Sequence, residues 1–112
     1  MIVELLYFQG CPNHDTLLPH LRELLQGAGL PDRVDLREIP DDETAQRERF
    51  LGSPTVRVDA RDVDPGADSR SDFGIKCRLY STPDGLRGTP PDALILDAVA
   101  RPRGSTSRAH LT

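Results

Sequence analysis

The N-terminal segment is the feature that most constrains the fold of this chain. Residues 2–8 are apolar and β-branched or aromatic at several positions, which is typical of a strand buried on both faces. Gly10 permits a tight turn after that strand, and Pro12 suits the first position of a helix. Leucines then follow at helical spacing from residue 17 to residue 25, and Gly27 marks the helix end. The chain is therefore predicted to begin with a buried strand that turns directly into a helix.

The remaining sequence continues this alternation of strand and helix. Its predicted elements are a strand at 34–39, a helix from 41 to 51 stopped by Gly52, strands at 53–58 and 61–63, a polar loop at 64–72, a turn-rich stretch at 81–91 and a last helix opened by Pro90-Pro91-Asp92. A helix joins the first two strands, which should be parallel, whereas a two-residue turn makes the third and fourth antiparallel. We expect an α/β domain with a mixed four-stranded sheet, three flanking helices and a loop insertion before the last helix.

The distribution of charge divides the chain and limits its partners. Residues 1–100 hold all 18 acidic residues and 11 of the 14 basic ones, for a net charge of −7, whereas residues 101–112 carry +3. A body of that charge argues against a nucleic-acid partner, since duplex binding needs a basic face. Residues 1–100 are expected to form the domain, and residues 101–112, with almost nothing to bury, a disordered basic tail.

Two observations predict a cytoplasmic protein with no membrane partner. No apolar run approaches the ~18 residues that span a bilayer, and the first apolar run contains Glu4 without a basic leader. Only two cysteines occur in 112 residues, fewer than a small secreted domain that depends on disulfides usually carries.

Cys11 is the first candidate for chemistry because it lies where the buried strand ends and the helix begins. Backbone N–H groups and the helix dipole favour an anion there, so the position favours the thiolate form, which attacks disulfides and binds soft metals. The alternative interpretation is an inert buried thiol. Gly10 before it and Pro12 after it favour a presented site.

The order of these features resembles the thioredoxin-like superfamily. The similarity consists of a strand, Cys-Pro-Asn-His at residues 11–14, a helix that contains Pro19, and a Ser-Pro-Thr-Val hairpin at residues 53–56. It covers roughly residues 2–63 and the last helix at 90–100.

The resemblance implies roles for particular residues. Cys11 corresponds to the family's nucleophile, and the Ser53–Pro54 peptide bond should be cis and face Cys11. Such a bond exposes the backbone of the preceding residue, which can then pair with an extended thiol substrate. The substrate-binding residues implied in this way are Pro12, Ser53, Pro54 and Thr55.

The chain departs from the family at His14, which stands where the second cysteine of the motif is expected. If it lies on the same side of the helix as Cys11, a protonated imidazole would stabilise the thiolate and a neutral one would accept its proton. The alternative is a solvent-facing helix residue.

Cys77 is the second candidate thiol and lies 66 positions after Cys11. If residues 64–89 fold back over the edge that carries Cys11, Cys77 can resolve a mixed disulfide on Cys11. The alternative is a small buried hydrophobic residue, which is a common role for a free cysteine. Lys76 and Arg78 flank Cys77 and would assist a thiolate if they were exposed.

Three functions remain open at this point. The first is a thiol–disulfide oxidoreductase that needs no cofactor and uses Cys11, His14 and Cys77 on a protein or low-molecular-weight thiol or disulfide. The second is a protein that binds Hg(II) or another soft metal through Cys11 and Cys77, since the chain looks, more loosely, like short bacterial chains grouped with alkylmercury lyases. That resemblance also implies cleavage of carbon–mercury bonds, in which two cysteines hold the mercury and an acid protonates the leaving carbanion. Asp15 is the nearest candidate acid in the sequence. The third is a non-catalytic binding module with the same fold.

Overall fold

The structure, a computed structural model, describes residues 1–100; the predicted basic tail, residues 101–112, lies outside them. Its elements are β1 (Val3–Tyr7), α1 (Asn13–Gly27), β2 (Asp35–Glu38), α2 (Asp42–Glu48), β3 (Thr55–Val58), β4 (Arg61–Asp62), a 3₁₀ turn (Pro65–Ser69), β5 (Tyr80–Thr82), β6 (Gly85–Arg87) and α3 (Asp92–Ala100). None of the helices within this range is long and apolar enough to cross a membrane.

Strands β1 to β4 form one mixed sheet in the order β2-β1-β3-β4. β1 is parallel to β2 and antiparallel to β3, and β3 is antiparallel to β4. The mixed four-stranded sheet with three helices is thus confirmed. β1 is central because both of its faces are apolar: Leu5 packs with α1 and α3, and Leu6 packs with Ala45 and Phe50 on the α2 side.

Helix α2 is shorter than predicted. It ends at Glu48, and Arg49 leaves it in the left-handed conformation with φ 58°. Two contacts explain the early end: a guanidinium nitrogen of Arg57 donates to the carbonyl oxygen of Glu48 at 2.6 Å, and Phe50 turns away into the core, where it is fully buried. Gly52, predicted as the helix stop, lies in the following turn instead.

The insertion between β4 and α3 is more ordered than its composition predicts. The stretch predicted as turns contains the antiparallel hairpin β5–β6, and the polar loop contains the 3₁₀ turn. An isolated parallel bridge pairs Cys77 with Ser53, just before β3. The insertion therefore folds back onto the edge of the domain that carries Cys11.

Candidate thiol site

Cys11 lies in the turn between β1 and α1, and its backbone N–H donates to the carbonyl oxygen of Phe8 at 3.3 Å. Pro12, predicted as the first helical residue, is the exposed N-cap of α1. The Cys11 side chain is 0% exposed, and its thiol donates to the carbonyl oxygen of Ser53 at 3.6 Å. The expectation that Cys11 is presented to partners is therefore wrong, because another segment covers it.

Cys77 is the residue that covers Cys11. The two sulfur atoms are 2.6 Å apart, and both cysteines are free thiols. Disulfide formation requires the sulfurs to approach to about 2.05 Å, so the backbone already brings the pair within reach of a bond. Cys77 itself is exposed, and its interpretation as a buried small hydrophobic residue is wrong.

Residues 76–78 are held over Cys11 by pairing with Ser53. The N–H of Ser53 donates to the carbonyl oxygen of Lys76 at 2.8 Å, and the N–H of Arg78 donates to the carbonyl oxygen of Ser53 at 2.9 Å. The backbone that the family resemblance offers to an extended substrate is thus already paired within the chain.

The three residues around the predicted cis bond are buried beneath that segment. The Ser53–Pro54 peptide bond is cis, as predicted. The Tyr80 hydroxyl donates to the carbonyl oxygen of Pro54 at 2.6 Å, and the Thr55 hydroxyl donates to that of Gly52 at 2.7 Å. Ser53, Pro54 and Thr55 are therefore buried and do not form an open surface for a substrate.

Arg78 anchors residues 76–78, which we call the covering segment, through its buried side chain. Its side chain is 0% exposed, and its guanidinium donates to Asp62 at 2.7 Å and to the Thr55 hydroxyl at 3.1 Å. The same group lies 4.5 Å from the centre of the Tyr80 ring. Sequence reasoning missed this cluster, since nothing in the local pattern pairs Arg78 with a carboxylate 16 residues earlier.

Lys76, the other cation beside Cys77, is paired with a carboxylate earlier in the insertion. Its ammonium group lies 2.9 Å from a carboxylate oxygen of Asp72. Hydrogen bonds from Arg70 and Lys76 keep the pKa of Asp72 below its ordinary value, so Asp72 remains a stable partner. Both flanking cations are therefore paired with carboxylates, Lys76 with Asp72 and Arg78 with Asp62.

His14 contacts the backbone of Cys11. Nδ1 of His14 lies 2.8 Å from the carbonyl oxygen of Cys11, and Nε2 lies 3.2 Å from a carboxylate oxygen of Asp15. The ring stacks on Tyr7, with the ring centres 4.2 Å apart. These contacts fix the turn that carries Cys11, and they pair Asp15 with His14.

The two thiols share a hydrogen bond that distinguishes them. The pKa of Cys77 is raised because its thiol donates to the Cys11 sulfur, with burial and the charge of that sulfur adding to the effect. Two thiolates at this separation would repel each other, which disfavours ionisation of both thiols at once.

Comparisons with models of known families, with curated proteins and with solved structures find no match to this chain. Among residues 1–100, no group of three or more His, Cys, Asp or Glu side chains is arranged to hold a metal ion.

Proposed function

We propose that this protein is a thiol–disulfide oxidoreductase whose redox couple is Cys11 and Cys77. The observation that carries the proposal is the 2.6 Å separation of the two sulfurs, with the exposed Cys77 lying over the buried Cys11. Oxidation of this dithiol releases two electrons and two protons, which convert one substrate disulfide into two thiols. The reaction needs no cofactor, and a reducing compartment such as the cytoplasm would regenerate the dithiol.

The proposal includes a thioredoxin-like fold. It is supported by the order of the elements, by the central position of β1 and by the placement of Cys11 where β1 turns into α1. In this proposal the insertion supplies Cys77 as the resolving thiol, in place of the second cysteine that the motif lacks. The redox pair is thus built from two distant parts of the chain.

His14 has a positioning role in this scheme. Its ring nitrogen contacts the Cys11 carbonyl, and its face packs on Tyr7, so it fixes the turn that aims the Cys11 sulfur at Cys77. Through that turn it affects the geometry of the pair.

The test compares the wild type with Cys11→Ser and Cys77→Ser. Under a glutathione redox buffer the wild type should lose the mass of two hydrogens, and peptide mapping should recover Cys11 linked to Cys77. Reduction of a small disulfide, with a dithiol as the final reductant, should be slower in both variants, because neither can close the disulfide between Cys11 and Cys77. Turnover at the wild-type rate in either variant would contradict the proposal.

Soft-metal binding is the second candidate, since two adjacent thiols favour a two-coordinate ion such as Hg(II). With metal–sulfur bonds of roughly 2.3 Å, a linear site needs sulfurs roughly 4.6 Å apart. The observed separation of 2.6 Å would have to widen, so the geometry favours the disulfide. Titration with Hg(II) should give one ion per chain if this function is correct, and loss of either cysteine should abolish tight binding. A protein inactive in both assays would be a binding module.

A further inference from the structure

We propose that Cys77, not Cys11, is the sulfur that exchanges with the partner, and that the partner is a polypeptide cysteine flanked by apolar side chains. This inference rests on the proposed redox function of the pair. It reverses the roles that the family resemblance implies, in which the cysteine at the start of the first helix meets the substrate.

The direction of attack supports Cys77. In thiol–disulfide exchange the attacking, central and leaving sulfurs lie nearly in line, so attack on Cys77 comes from the side opposite Cys11. Cys77 is exposed, so a partner can approach it from solvent. Attack on Cys11 would have to come from the side opposite Cys77, which is inside the protein: Cys11 is 0% exposed, and its sulfur contacts the carbonyl oxygen of Ser53.

The covering segment is fastened in a way that resists an opening motion. Two backbone hydrogen bonds join it to Ser53, and the fully buried side chain of Arg78 is paired with Asp62. Swinging Cys77 away from Cys11 would leave a charge and several polar groups without their partners, which is costly in the interior. Exchange at Cys77 requires none of these contacts to break.

The exchange starts from the Cys11–Cys77 disulfide. A partner thiolate attacks the sulfur of Cys77; the new bond joins partner and Cys77, and the Cys11 sulfur leaves with the electron pair as a thiolate. In the reverse direction, Cys77 loses its proton to solvent, and its thiolate attacks a partner disulfide and releases one partner thiolate. Cys11 then displaces the second partner thiolate from Cys77, and the departing thiolates take up the two protons.

The surroundings of Cys77 indicate the partner. Ile75 and Leu79 lie two residues on either side of it, and their side chains are 36% and 59% exposed. Of the two cations that flank Cys77, Arg78 is buried and Lys76 is paired with Asp72, so neither is well placed to bind the carboxylates of a small anionic thiol such as glutathione. The pairing with Ser53 uses the carbonyl of Lys76 and the N–H of Arg78, so the N–H and carbonyl of Cys77 stay outside it. An extended polypeptide with apolar side chains beside its cysteine fits this surface.

The first experiment identifies the exchanging sulfur. Cys11→Ser and Cys77→Ser are mixed with a leucine-flanked cysteine peptide activated as its thionitrobenzoate disulfide, and release of the chromophore is followed. Cys11→Ser should react at least about tenfold faster and retain the peptide on Cys77, because access governs exchange and the serine introduced by Cys77→Ser still covers Cys11. Equal or faster reaction of Cys77→Ser, with the peptide on Cys11, would overturn the proposal.

A second measurement on the wild type does not depend on how the variants fold. The oxidised protein is mixed with the same peptide as a free thiol, quenched with acid and mapped by mass spectrometry, which should place the peptide on Cys77. If the wild type never forms the Cys11–Cys77 disulfide, the proposed function fails. If it forms that disulfide but carries the peptide on Cys11, only the present inference fails.

The partner class is tested with Leu79→Ser and a matched control, Leu36→Ser, an exposed leucine on the edge strand β2. Leu79→Ser should slow exchange with the leucine-flanked peptide several-fold and leave exchange with a glycine-flanked peptide unchanged. Leu36→Ser should affect neither. An unchanged rate in Leu79→Ser, or faster exchange with glutathione than with the peptide, would refute the apolar polypeptide partner.

Discussion

At the scale of single residues, the site depends on a difference between two otherwise identical side chains. Cys11 is fully buried and lies just before the N-terminus of α1. Cys77 is exposed, and its thiol donates a hydrogen bond to the Cys11 sulfur. One thiol is therefore shielded from solvent and the other is open to it.

Removing Cys11 should make Cys77 more acidic. The pKa of Cys77 is raised chiefly because its thiol donates to the Cys11 sulfur, so Cys11→Ala removes the main cause and the pKa should fall. At pH 7–8 a larger fraction of Cys77 is then thiolate, and its alkylation by iodoacetamide should be faster than in the reduced wild type. The measurement is the rate of Cys77 modification against pH, with the modified peptide identified by mass.

The control for this titration is Cys11→Ser, which keeps a smaller polar group beside Cys77 and should give an intermediate curve. A curve for Cys11→Ala that coincides with that of the wild type would show that the contact between the sulfurs does not control the proton of Cys77.

The sequence identified both cysteines but assigned their exposure the wrong way round. A glycine and a proline around Cys11 are local signals of a turn, and the turn is present. Whether a turn is open to solvent depends on what else packs on it, and here residues 76–78 do so from 65 or more positions away. Local patterns carry no information about such a contact.

At the scale of elements, the site depends on how closely the covering segment approaches the turn before β3. Gly52 has φ 126°, and a side chain there would place Cβ 2.9 Å from the carbonyl oxygen of Lys76 and 3.0 Å from the Cβ of Arg78. The nearest of these atoms is backbone, so the segment itself would have to shift. Gly52 thus permits the pairing that brings Cys77 over Cys11.

Gly52→Ala should weaken both the fold and the redox pair. We expect a loss of about 1–3 kcal/mol in the free energy of unfolding, because a side chain at this φ is strained, together with slower formation of the Cys11–Cys77 disulfide as residues 76–78 move. Urea unfolding and the rate of disulfide formation under a glutathione buffer measure the two effects.

Gly27→Ala is the matched control, because a Cβ at the end of α1 meets nothing within 4 Å. This variant should gain up to about 1 kcal/mol from helix propensity and form the disulfide at the wild-type rate. Disulfide formation that is equally fast in Gly52→Ala would show that the close approach at Gly52 does not set the position of Cys77.

The elements of the main sheet could be predicted because their signals are local. Apolar runs, helical leucine spacing and a two-residue turn define β1 to β4 and their directions. The β5–β6 hairpin was missed because β6 is exposed along its whole length and has no alternating pattern. The early end of α2 was missed because it depends on a hydrogen bond from Arg57, on another strand.

At the scale of the whole molecule, the insertion is joined to the sheet by contacts of two kinds. Permanent ones are the pairing with Ser53 and the buried ion pair between Arg78 and Asp62. The third link, between Cys11 and Cys77, is covalent only when the protein is oxidised. The redox state therefore decides whether the insertion and the first turn are cross-linked, while the permanent contacts keep the two sulfurs together in either state.

Oxidation should therefore stabilise the fold more than it reshapes it. A bond between residues 66 positions apart closes a long loop in the unfolded chain, which raises the free energy of unfolding by about 4 kcal/mol in the chain-entropy account. The measurement is urea unfolding of the oxidised and reduced wild type, with Cys77→Ser as a control that should not respond to oxidation. Equal stability of the two wild-type forms would mean that the disulfide strains the folded chain by as much as it restricts the unfolded one.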